Sequence, residues 1–92
     1  MEALDFTKDG NRYIAQFVAT ADFSLHIELE KAGYVSIEQC SSDNGAYVPA
    51  HTFYKNEKIL NIDTDFMALV YPKRIQIISE APVKSGSYNF SE

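Results

Sequence analysis

A single cysteine, Cys40, stands in the chain, so no internal disulfide framework can staple it. Tryptophan is absent altogether, which removes the residue best suited to stacking on sugar rings. Proline and glycine are scarce, at three and four, and charged residues make up only 23%; both figures argue against a disordered or low-complexity chain. Bases are also in deficit, with eight Lys and Arg against thirteen acids and a net charge of −5. The deficit lies in residues 1 to 46, where Lys8, Arg12 and Lys31 face eight acids, while the rest of the chain balances. An acidic protein without a basic patch is a poor match for nucleic acid and for anionic membrane surfaces. No apolar run approaches the roughly 20 residues that a membrane-spanning helix needs. The start, Met-Glu-Ala-Leu-Asp, has neither the basic nor the apolar region of a secretory leader. The expectation is a soluble product made in the cytoplasm.

What the chain does have is period-2 alternation. In Asp22-Phe-Ser-Leu-His-Ile-Glu-Leu-Glu30, Phe23, Leu25, Ile27 and Leu29 point one way. Asp22, Ser24, His26, Glu28 and Glu30 point the other, which is the pattern of a strand with one face on a core and one in water. Arg12 to Thr20 places Tyr13, Ala15, Phe17 and Ala19 on one side, opposite a mixed side of Arg12, Ile14, Gln16 and Val18. Turn residues separate such runs: Asp9-Gly10-Asn11, Ser41 to Gly45 with its Asn44-Gly45 tip, Lys55-Asn56-Glu57, Asp63-Thr64-Asp65 and Glu80-Ala-Pro82. Lys31-Ala32-Gly33 reads as a tight hairpin into Tyr34 to Cys40. Pro49 marks its segment as an edge or bulged strand, since proline cannot donate to a ladder. Eight or nine short strands in residues 1 to 92 predict one domain, an antiparallel β-sandwich of jelly-roll or immunoglobulin-like form.

Few residues combine into a chemical site. Asp63 and Asp65 could share a calcium ion with loop carbonyls, as two hard oxygens with one residue between them. His26, Cys40 and His51 are the soft ligands, but their spacing matches no zinc motif. Cys40 falls by alternation on the polar side with Ser36 and Glu38, which makes it a surface residue rather than a nucleophile. Twelve of the apolar residues are aromatic, six Tyr and six Phe. Among them Tyr34, Tyr47 and Tyr54 are candidates for exposed rings that bind a glycan or a protein. No acid, base and nucleophile converge in the sequence, so no enzyme and no cofactor are expected.

The stretch Val70-Tyr-Pro-Lys-Arg-Ile-Gln-Ile-Ile-Ser-Glu-Ala-Pro-Val-Lys-Ser-Gly-Ser-Tyr88 resembles the ending of small β-sandwich structural proteins of bacteriophages and prophages. The polar hairpin tip at Ser41 to Gly45 is similar in placement. The resemblance implies a non-enzymatic virion, tail or host-contact component that works as a homo-oligomer and is incorporated into a virion. It implies no individual functional residue. The terminal segment 83 to 90, with Lys84 as its one charge, is then the expected edge for a second copy. The alternative reading is a carbohydrate- or protein-binding module that uses the tyrosines, assisted by calcium at Asp63 and Asp65.

Overall fold

A computed structural model describes residues 2–40, 46–51 (backbone alone for 49–51), 57–66 and 72–90. The protein is all-β, with nine strands and no helix among these residues. They are β1 (Glu2–Ala3), β2 (Thr7–Asp9), β3 (Arg12–Ala19), β4 (Phe23–Gly33), β5 (Val35–Cys40), β6 (Val48–His51), β7 (Ile59–Phe66), β8 (Lys73–Ser79) and β9 (Val83–Phe90). Four make one antiparallel sheet in the order β1-β9-β4-β7, and five make the other in the order β2-β3-β8-β5-β6.

The pairing is nested. β5 pairs with β6, β4 with β7, β3 with β8, and β1 with β9, all antiparallel. A ribbon doubled back between β5 and β6 and then rolled up gives this order, which is that of a jelly roll. Immunoglobulin-like sandwiches do not nest their strands in this way. β2 is an added strand outside β3, joined by a turn in which Gly10 takes φ 63°. That left-handed backbone suits glycine because it lacks a Cβ.

Alternation fills the space between the sheets. Phe23, Leu25, Ile27 and Leu29 of β4 are buried together with Ile62 and Phe66 of β7. Ala15 and Ala19 of β3, Val35 and Ile37 of β5, and Ile75 and Ile77 of β8 face them from the other sheet. Aromatic rings close one end of this core. Phe17 stacks on Tyr88 at 3.9 Å, Phe23 stacks on Phe66 at 4.9 Å, and Phe17 meets Phe23 edge-on. Such contacts each contribute about 0.5–1.5 kcal/mol beyond the area they bury.

Three expectations need correction. Lys31-Ala32-Gly33 is no hairpin: it is the end of β4, and Tyr34 alone separates it from β5 in the other sheet. The chain turns a corner between sheets there, and a Cβ on Gly33 would lie 2.5 Å from the Ala81 Cβ. Glycine allows that close passage, and the neighbouring turn is locked by Ser79. The buried Ser79 hydroxyl donates to the Ala81 carbonyl at 2.7 Å and accepts from the Ala81 N–H at 3.1 Å. Asp63-Thr64-Asp65 is no connector either, but lies within β7 with Ile62 and Phe66 pointing inward. Last, β9 is not an edge, since it sits between β1 and β4. Pro49, by contrast, is in an edge strand, and the β5–β6 register shifts between Ile37 and Glu38, beside it.

Candidate functional site

Because both inner faces belong to the core, anything this protein contacts must meet an outer face, an edge or a loop. The outer face of the four-stranded sheet is built of cross-strand rows. Asn61, Glu28 and Ser85 form one, Asp63, His26 and Ser87 the next, and Asp65, Ser24 and Asn89 the third. At the middle row His26 Nδ1 lies 2.9 Å from Asp63 Oδ1, with both side chains well exposed at 43% and 81%. Between β4 and β9 the register shifts by one residue, because Lys84 has no partner opposite it. This bulge sets Lys84 on the outer side, where Nζ is 3.4 Å from Glu28 Oε1. A groove of about 330 Å³ runs over His26, Glu28, Asn61, Ser85 and Ser87. Four acids, Glu28, Glu30, Asp63 and Asp65, give this side of the molecule its negative character.

The five-stranded sheet presents a different surface. One row runs Thr7, Ile14, Ile78 and Ser36; another runs Gln16, Gln76 and Glu38; a third runs Val18, Arg74 and Cys40. In the second row the side chains form a ladder. Gln16 Nε2 donates to Gln76 Oε1 at 2.6 Å, and Gln76 Nε2 donates to Glu38 Oε1 at 2.8 Å. Apolar side chains flank the ladder, with Val18 52% exposed and Ile14 and Ile78 half-buried. Charges on this face nearly cancel: Arg12 and Arg74 oppose Asp9 and Glu38, with Arg12 and Asp9 paired at 3.7 Å. Asp5 adds one negative charge at the β2 margin, beside a groove of about 270 Å³.

The residues singled out from sequence do not come together. Tyr34 is the corner between β4 and β5, its carbonyl accepting from Glu80 N–H at 2.9 Å. Lys58 Nζ stands 5.9 Å from its ring centre. Tyr47 precedes β6, next to Val48, which pairs with Gln39 near the far end of β5. The two rings are thus separated by the length of β5, roughly 20 Å at the rise of a strand. The Arg74 guanidinium lies 5.7 Å from the Tyr47 ring, a cation over a π face. Tyr54 and the loop at Ser41 to Gly45 lie outside the described residues.

Asp63 and Asp65 do share a face, two residues apart on β7, but Asp63 is engaged by His26. Among the described residues no group of three or more His, Cys, Asp or Glu is placed to hold a metal ion. Cys40 is buried, against the surface position expected for it. Its pairing with Arg74 does put it on the outer side of β5, and the approach of Tyr47 to Arg74 marks that corner as covered. The glutamine–glutamate ladder has no linear signature. Its members lie 60 and 38 residues apart along the chain, and only the pairing of β3, β8 and β5 aligns them. Comparison of the chain with protein-family models, with curated proteins and with solved structures returns no match.

Proposed function

We propose that this chain is a non-catalytic structural subunit that assembles with copies of itself through the outer face of its five-stranded sheet. The observation that carries the reading is the Gln16–Gln76–Glu38 ladder between apolar rows. Covering a polar surface is costly when its groups lose water and gain no partner. Here the amides already bond one another, so Ile14, Val18 and Ile78 can be covered with little uncompensated desolvation. Charge favours a second copy as the cover. The acidic face of the four-stranded sheet repels itself, whereas the nearly neutral face of the other sheet does not. A two-fold contact, with each face meeting its own equivalent, is the commonest form of such closure.

The resemblance of residues 70–90 to small β-sandwich structural proteins of bacteriophages and prophages agrees with a virion or tail component. A jelly roll suits capsid components and sugar-binding domains alike, so the fold alone does not choose between them. The separation of Tyr34 from Tyr47 supports assembly over sugar recognition.

The test is the absolute mass in solution, by light scattering behind a sizing column, over a wide range of protein concentration. The expected result is a defined oligomer that Val18→Glu dissociates while leaving the thermal melt intact. A monomer at every concentration overturns self-assembly. An oligomer indifferent to Val18→Glu overturns this face as the interface.

A further inference from the structure

A strand carries N–H and C=O groups along both sides, and β7 uses one side on β4 from Asn61 to Phe66 and again, past an irregularity, at Ile59. Among the described residues no strand pairs with its other side. The other outermost strands are shorter, and β1 pairs with β9 at Ser87 and Tyr88 alone, as β2 does with β3 at Arg12 to Ile14. β1 has two residues, β2 three, and β6 four with Pro49 among them. Shortness and proline are common means of keeping an edge from pairing with other chains. β7 has neither, at eight residues without proline.

Its outward side chains define what could pair there. Asn61, Asp63 and Asp65 alternate along the exposed side of β7, and Glu28 and Glu30 of β4 stand behind them. Along this row Lys84 Nζ meets Glu28 Oε1, and the His26 ring contacts Asp63. A strand added to the edge would bring its own outward side chains within about 5 Å of Asn61, Asp63 and Asp65. A second β7 is a poor occupant. The antiparallel registers with most overlap set Asp63 beside Asp63 or Asp65 of the copy, directly or diagonally, and like charges so placed destabilise a pair.

We propose that β7 accepts, by strand addition, an extended segment of a different protein that carries Lys or Arg at alternate positions. Backbone hydrogen bonds hold such a segment, and its alternate side chains give the selectivity. Asp63 and Asp65 select the bases, and the net charge of −5 draws a basic segment toward the protein. This surface is separate from the outer face of the five-stranded sheet, so one subunit can hold both a copy of itself and a foreign strand.

The probe is a synthetic peptide that alternates Lys with Val and Thr, set against the same peptide with Glu in place of Lys. Amide hydrogen exchange is followed residue by residue at low salt, with binding titrated in parallel. With the Lys peptide, alternate amides of β7 become protected, and the affinity falls about tenfold in Asp63→Asn/Asp65→Asn. Should that double variant melt early, Asp65→Asn alone carries the comparison. Val18→Glu, directed at the other sheet, leaves peptide binding unchanged, which separates this proposal from the assembly reading. Three results overturn it: β7 amides that the peptide does not protect, equal protection by the Glu peptide, or protection that rises with protein concentration alone.

Discussion

β3 and β4 follow each other in the chain and both send alternate side chains into one core, yet their outward sides differ. β4 turns Ser24, His26 and Glu28 to water, while β3 turns out Ile14, Gln16 and Val18. The difference extends across each sheet, to the acidic row of Asp63 and Asp65 on one side and the Gln16–Gln76–Glu38 ladder on the other. An inner face shows only that a strand belongs to a sandwich. The outer faces are where the two sheets part in character, one acidic and polar, the other an amide ladder between apolar side chains.

The largest effects should not distinguish the sheets at all. Ile27→Ala in the four-stranded sheet and Ile77→Ala in the five-stranded sheet each remove a buried side chain from the shared core. Each should cost about 2–5 kcal/mol in denaturant unfolding. A near-silent result at either site would mean that the two faces do not pack as one core. An intermediate effect belongs to the seam between the sheets. Gly33→Ala forces a methyl group onto Ala81 and should cost about 1–3 kcal/mol, in line with overpacking elsewhere. Adding Ala81→Gly should restore part of the loss, and a double variant no better than the single would exclude that clash as the cause.

The smallest effects lie on the outer faces, where the contrast is sharpest. Gln76→Ala removes both rungs of the ladder and should cost about 0.5–1.5 kcal/mol. Ser24→Ala on the opposite face should fall close to zero. Asp63→Asn, which breaks an exposed pair with His26, should stay under about 1 kcal/mol. Equal losses at Gln76 and Ser24, read from thermal melts, would erase the distinction between the faces.

Much of this architecture is legible in the residue order. The alternation of Phe23 to Leu29 assigns the buried side of β4, and that of Tyr13 to Ala19 does the same for β3, including its mixed outer side. Asp63 and Asp65 mislead because two acids around a threonine look like a connector. Yet Ile62, Thr64 and Phe66 already alternate with them as a strand requires. Gly33 misleads for another reason: a glycine that turns a hairpin and one that lets two chains pass closely are the same letter. What separates them is Ala81, nearly fifty positions later, and no local pattern reaches that far. The placement of β9 between β1 and β4 is equally non-local, since its alternation suits an edge strand as well as an inner one. For the surfaces, the composition of each row can be read, but its membership depends on which strands become neighbours.

The nested pairing also sets an order of events. Among the nested pairs β5 and β6 close the shortest loop, and each further pair, β4 with β7, β3 with β8 and β1 with β9, spans a longer stretch around it. Loop closure is costliest for the outermost pair, and topologies dominated by such distant contacts fold in milliseconds to seconds rather than microseconds. The molecule should therefore close like a zip from its middle. Glu2 and Ala3, which pair with Tyr88 and Ser87, should be last to dock and first to fray.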